Sequence, residues 1–192
     1  MIARLAAALA LALSLGGAPA LAADRPLEAS AITGFAPFAP PDAPILMGDG
    51  SEARLDGFPG QLVVATFWFT ACPGCQIEMP RLEALRAQLE AEGEGRIRIL
   101  PISIDGVAFR EDEAAAAERV RAYYERRRLT GLPLALDVDG RNAGLLFGAD
   151  PVGTPTSFLI SPAGEVIAVI QGAEADWTAP ESVAWLKRLA GS

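Results

Sequence analysis

The sequence predicts an α/β fold in which helices flank a mixed β-sheet. Three observations predict it. Residues 62–69, Leu-Val-Val-Ala-Thr-Phe-Trp-Phe, form a run with a single hydroxyl and no charge, the pattern of a central strand covered on both faces. Helical spacing, a strand-like stretch and a second helical stretch follow in turn, and that alternation builds parallel βαβ units. Late in the chain, residues 156–160 and 166–170 bracket the turn Ser161-Pro162-Ala163-Gly164, a hairpin that adds an antiparallel edge.

Each element has its own local reason. Residues 1–22 read as a signal peptide: Arg4 leads an apolar stretch over 5–15, and Ala20-Leu21-Ala22 fits a small-x-small cleavage site. The stretch is short for a membrane span, so export is expected, with an uncleaved anchor as the alternative. Residues 23–44 carry Pro26, Pro37, Pro40, Pro41 and Pro44 and read as an extended spacer before a domain over 45–192. Gly48-Asp49-Gly50 predicts the turn of an N-terminal β-hairpin. Residues 73–92 place Ile77, Leu82, Leu85 and Leu89 on one helical side, with a kink expected at Pro80. Residues 96–104 alternate as a strand, which Pro101 weakens near its middle. A charged, alanine-rich helix is expected over 111–128, a short strand over 134–138, helical turns over 141–147, and a closing helix over 180–190 that starts on proline.

At 192 residues the chain fits one domain plus its leader. The net charge of −8 argues against nucleic acid and anionic membrane surfaces, which need a positive field. There is no histidine, and the two cysteines stand together as Cys72-Pro73-Gly74-Cys75. They fall where the buried run gives way to a helix, whose free N–H groups and positive dipole end favour a thiolate. A thiolate is the nucleophile of disulfide exchange. The redox reading has Cys72 as the exposed attacker and Cys75 as the resolving thiol one turn inside, since two intervening residues let the sulfurs meet. A structural disulfide is the first alternative, although so small a ring stabilises little. A zinc site is the second, although four ligands are wanted.

Two stretches resemble a known family. Phe67-Trp68-Phe69-Thr70-Ala71-Cys72-Pro73-Gly74-Cys75-Gln76-Ile77-Glu78-Met79-Pro80 is similar to the active-site segment of exported thioredoxin-like thiol-disulfide oxidoreductases of the TlpA/ResA type. Gly153-Thr154-Pro155-Thr156-Ser157-Phe158-Leu159-Ile160-Ser161-Pro162-Ala163-Gly164 looks like that family's cis-proline loop and hairpin. The likeness covers roughly residues 40–190. It implies a thioredoxin-like sheet with an extra strand–helix insertion near 100–130. It also implies substrate contacts at Pro73, Gly74, Thr154 and a cis Pro155, with the Thr154 backbone pairing to a substrate strand. Glu78 lies three residues past Cys75 and is expected to raise the thiol pKa or to pass protons, rather than only to suit the helix dipole. Two residues depart from the pattern: Ala71 stands where many relatives have tryptophan, and Thr66 where cytoplasmic thioredoxins have a buried acid. Trp68 is expected in the core, and Arg126-Arg127-Arg128 is read as a helix C-terminus ahead of a docking patch.

The resemblance implies a periplasmic enzyme whose only redox group is the Cys72–Cys75 pair. Pro73-Gly74 puts no charge between the thiols, which points to a reductase rather than a strong oxidant. Its expected partners are protein disulfides such as those of apocytochrome c or copper-site proteins, with a membrane electron donor. The alternative is a Cu(I) metallochaperone, for which Cys72 and Cys75 would be soft ligands. A thiol peroxidase fits less well, because Thr66 occupies the position that reading reserves for proline and Thr70 is one place off. A non-catalytic docking module is the remaining reading.

Overall fold

Strand β5 (Leu62–Trp68) is buried along its whole length, and the rest of the chain is arranged around it. The computed structural model describes residues 25–148 and 153–191. The leader, its cleavage site and the anchor alternative lie outside the described residues. The elements run β1 (Arg25–Pro26), α1 (Leu27–Ser30), β2 (Ala31–Ile32), β3 (Ile45–Met47), β4 (Glu52–Ala53), β5, α2 (Pro73–Ala91), β6 (Ile97–Ser103), α3 (Asp105–Phe109) and α4 (Glu113–Arg127). They continue with β7 (Ala135–Leu136), α5 (Arg141–Phe147), β8 (Thr156–Ile160), β9 (Val166–Gln171), β10 (Ala175–Asp176) and α6 (Pro180–Ala190).

The main sheet has eight strands in the order β2-β9-β8-β5-β6-β7-β3-β4. β5 pairs parallel with β6 and antiparallel with β8, so the expected mixture of parallel and antiparallel pairs is present. Side chains alternate across the pleat. Leu62, Val64 and Trp68 face one core, shared with α2, α4 and α6, while Val63, Ala65 and Phe67 face the other, shared with α5. Each such buried Leu, Val or Phe side chain contributes roughly 1.5–3 kcal/mol. The hairpin of β3 and β4 turns at Gly50, which has φ +83°, a left-handed geometry that glycine adopts without a Cβ penalty.

Pro101 does not interrupt β6. The β5–β6 ladder begins with Leu62 N–H to Arg96 O at 2.7 Å and ends with Ile104 N–H to Trp68 O at 2.9 Å. Even-numbered β6 residues therefore direct their backbone groups at β5. The nitrogen of Pro101 points the other way, where β7 meets β6 only at Ser103, and no ladder donor is lost.

Two expectations differ from the structure. Ile77 is 54% exposed; the buried side of α2 is Cys75, Glu78, Met79, Leu82, Leu85 and Leu89. Helical geometry explains this, because 75, 78/79, 82, 85 and 89 repeat every three or four residues and 77 falls off that stripe. The stretch over 25–32, expected within the spacer, is built into the fold. Leu27 is fully buried and its N–H donates to Ser182 Oγ at 3.0 Å. β2 covers the β9 edge in antiparallel register, and β1 pairs parallel with β10. The short apolar runs between prolines suffice to extend the sheet by one strand.

Candidate active site

Three segments meet at the cysteines: the loop leaving β5, the first turn of α2, and the loop entering β8. Cys72 is the N-cap of α2, with φ −73° and ψ 120°, and its Sγ accepts the N–H of Cys75 at 3.1 Å. Pro73 takes the first helical position, where an N–H would find no partner in any case. No acid occupies the first turn, so the positive end of the helix dipole acts on the sulfur undiminished. Cys72 and Cys75 are joined as a disulfide with their Cα atoms 5.2 Å apart, inside the range such a bond requires.

The structure corrects the expectation that Cys72 is an exposed thiol. It is 3% accessible, and Cys75 is 0% accessible. The β8 loop is the reason. The Thr154–Pro155 bond is cis, and the Thr154 carbonyl oxygen lies 3.3 Å from Cys72 Sγ. Gly74 lies beneath the same loop, where a Cβ would sit 3.0 Å from Pro155 Cδ. Access to the sulfurs therefore runs past exposed Ala71 and Pro73 and half-buried Gly74 and Thr154. Of the expected substrate contacts, Pro155 itself is buried, and the other three line this approach.

Glu78 is buried at 1% exposure on the Cys75 side of α2. Trp177 Nε1–H donates to its Oε1 at 2.5 Å. Trp68 lies in the core beneath the cysteines and stacks on Tyr124 at 5.9 Å, the structural role expected of it.

Sequence reasoning missed a second buried acid. Asp105, fully buried at the start of α3, accepts Thr70 Oγ1–H at 2.7 Å, Thr70 N–H at 3.2 Å and Ser103 Oγ–H at 2.6 Å. It thereby ties the end of β6 to the loop two residues before Cys72. Gln76 adds a further tie, donating from Nε2 to Thr70 O at 3.2 Å. Arg127 in turn donates to Gln76 Oε1 at 3.1 Å. Arg81 fixes α2 to the far side of the site through the Ala173 carbonyl at 2.7 Å. The position of Asp105 just past a strand end was the only sequence signal for it; the partners of Gln76 and Trp177 lie 51 and 99 residues away.

The donor set for a metal is small. Among the described residues no group of three or more Cys, Asp or Glu side chains is placed to hold an ion, and the chain has no histidine. A carrier of Cu(I) would have two thiolates and nothing further from this site. Among the described residues, no helix is long and apolar enough to cross a membrane.

A disulfide at a helix N-terminus beneath a cis-proline loop is the arrangement that the thioredoxin-like resemblance implies. The chain belongs to the AhpC/TSA family, whose model matches residues 39–169. It is 30% identical over 125 residues to the thiol-disulfide oxidoreductase ResA of Oceanobacillus iheyensis, covering 65% of this chain and 57% of that protein. The chain thus spans about three fifths of the length of the curated relatives it matches. A secreted thiol-disulfide isomerase from Corynebacterium glutamicum superposes with a TM-score of 0.65 at 18% identity, over 85% of this chain and 93% of that one. A thiol:disulfide interchange protein of the thioredoxin family from Chlorobium tepidum superposes with a TM-score of 0.61 at 19% identity, over 82% and 99%. These likenesses establish the thioredoxin-like fold that the family resemblance implied.

Proposed function

We propose that the protein is an exported, periplasmic thiol-disulfide oxidoreductase that reduces specific protein disulfides through Cys72 and Cys75. One observation carries this reading: Cys72 caps the helix with its Sγ on the Cys75 N–H, while Cys75 is wholly enclosed behind it. The pair is therefore asymmetric, with one sulfur held at the charged end of the dipole and next to the surface.

The reaction runs as two exchanges. In the dithiol form, the Cys72 thiolate attacks one sulfur of a target disulfide. The target S–S bond breaks, a mixed disulfide forms at Cys72, and the target's other sulfur leaves as a thiolate that takes up a proton. Cys75 loses its proton and attacks Cys72 Sγ, which re-forms the Cys72–Cys75 disulfide and releases the second target thiolate. Two electrons pass to the target; its first thiolate takes a proton from solvent, and its second takes the Cys75 proton relayed through Glu78. Glu78, one turn past Cys75, accepts the Cys75 proton, and Trp177 holds its carboxylate in place. Pro73, Gly74, Thr154 and Pro155 receive the target segment, with Thr154 contributing backbone. No cofactor enters either step; the dithiol itself is the redox group, and a membrane dithiol donor restores it.

The direction follows from the balance of charge at Cys72. One N–H and the helix dipole favour its thiolate, the Pro73-Gly74 pair adds no cation, and the Thr154 carbonyl at 3.3 Å opposes negative charge. A reduced form so little stabilised gives a low-potential, electron-donating couple. The resemblance to ResA-type proteins supports apocytochrome c or copper-site cysteines as targets.

The test is trapping combined with a redox titration. Cys75→Ser should accumulate mixed disulfides at Cys72 with its targets, identified by mass spectrometry, and Cys72→Ser should accumulate none. A midpoint potential as high as that of strong oxidants, about −120 mV, would overturn the reductase direction.

A further inference from the structure

We infer that Arg126, Arg127 and Arg128, at the end of α4, form a docking patch for protein partners that carry acidic residues beside the disulfide they present. The inference rests on Cys72 being the attacking thiol, and it names the kind of partner that thiol meets.

The patch stands against the charge of the whole molecule, which is −8. All three side chains are exposed. Arg86, Arg96, Arg119, Arg141, Lys187 and Arg188 each meet a carboxylate. Among the described residues, Arg126, Arg127 and Arg128 meet none. Glu125 offsets part of their charge without forming an ion pair with them.

The helix C-terminus accounts for part of the run, because Arg126 and Arg127 lie in the last turn of α4, where positive charge suits the dipole. The last turn of α4 is closed by backbone, through the N–H of Arg128 to the carbonyls of Tyr124 and Glu125. Arg127 instead reaches across to α2 and donates to Gln76 Oε1 at 3.1 Å. Gln76 belongs to the redox turn itself: its N–H donates to Cys72 O at 3.1 Å and its side chain to Thr70 O at 3.2 Å. One side chain therefore separates the cationic patch from the backbone that carries the nucleophile. Beside it on α2, Pro73, Ile77 and Pro80 are exposed and uncharged, and they sit three to four residues apart on one helical face. A partner segment lying over Pro73 and Ile77 would bring its flanking residues alongside the Arg127 guanidinium, with Arg126 and Arg128 adding to the positive field around it. Arginine recognises carboxylates in planar, bidentate fashion, and an uncompensated patch speeds the approach of an oppositely charged surface.

The experiment uses the reduced full chain and three cyclic disulfide peptides that differ only in carrying Glu, Gln or Lys on either side of the cystine. The readout is the ratio of reduction rates within one protein, so any change in basal rate cancels. The wild type should reduce the Glu peptide about tenfold faster than the Gln peptide at low ionic strength, with the ratio falling toward one in about 0.5 M salt. The triple substitution Arg126→Gln, Arg127→Gln, Arg128→Gln should bring the low-salt ratio toward one, and reversal of the three to Glu should favour the Lys peptide. A wild-type ratio near one, or a ratio untouched by both substitutions, overturns the docking patch. The salt titration needs no variant to fold. A small uncharged disulfide run in parallel separates the two readings: if the wild type cannot reduce it, the dithiol reaction fails, and if it is reduced without any preference for acid, the patch alone fails.

Discussion

Replacing Asp105 with alanine tests whether a buried carboxylate, rather than the helix alone, holds the loop that carries Cys72. Its carboxylate accepts three bonds, from Thr70 Oγ1, Thr70 N–H and Ser103 Oγ. Each bond to a charged acceptor contributes about 1.5–3 kcal/mol, so the gross loss is about 6 kcal/mol. Removing the carboxylate also relieves its desolvation, an opposing contribution of several kcal/mol. The two hydroxyls can rotate to other acceptors, but the Thr70 N–H stays in a site that is 8% exposed. The expected net loss is about 3 kcal/mol, which lowers Tm by roughly 6–12 °C in a chain of this size. Urea unfolding of the oxidised protein measures it. Thr70→Ala combined with Asp105→Ala in a double-mutant cycle should show coupling of about 1–2 kcal/mol. A loss below about 1 kcal/mol, or strictly additive singles, would refute the role given to Asp105.

The other predictions concern packing, the buried acid and the tyrosines. Leu85→Ala should cost about 2–5 kcal/mol through the cavity it leaves, whereas Ile77→Ala on the same helix should stay within about 0.5 kcal/mol; chemical denaturation distinguishes the two faces of α2. Trp177→Phe removes the donor to Glu78 and should cost about 1–3 kcal/mol, and Glu78→Gln in that background should recover part of it, because a neutral amide needs the bond less than a carboxylate does. Burial pushes both phenols, Tyr123 and Tyr124, above their ordinary value of 10.0, with Arg127 and Arg126 partly offsetting this at Tyr123. The unfolded tyrosines release protons near pH 10 while the folded ones retain them. Their contribution to stability is therefore complete below that pH and declines as pH rises above it. These are the only two tyrosines in the chain, so phenolate absorbance should rise at higher pH than it does for free tyrosine. A titration with its midpoint near 10 in the folded protein would contradict the burial.

Much of the fold was legible because it rests on local pattern. The apolar run over 62–69 could only be a covered central strand, and the turns at Gly50 and Ser161–Gly164 mark hairpins by their residue types. Helix α6 starts on its first-turn proline as expected. Leu27, β1 and β2 were not legible, since two-residue strands carry no periodic signal and become stable only by pairing with β10 and β9. Ile77 was misplaced by a phase error of about 100°, which a short window of apolar residues cannot resolve. Of the residues proposed for the site, the thiols, Glu78 and Pro155 could be singled out from their spacing and from the family resemblance. Asp105, Trp177 and Gln76 could not, because each acts through a partner distant in sequence.

By itself the sequence determined the chemistry available to this protein. Two thiols with two residues between them, set between an uncharged strand and a helix with no histidine to complete a metal site, suit disulfide exchange best. Tertiary structure alone decided how that chemistry is presented. The β8 loop covers Cys72 to 3% accessibility, Asp105 secures the loop ahead of it, and Arg127 sits against the redox turn through Gln76. The physical reason is range. Dipole, capping and helical spacing act within one turn and can be read along the chain. Burial and long-range hydrogen bonds arise only when segments separated by tens of residues are packed together.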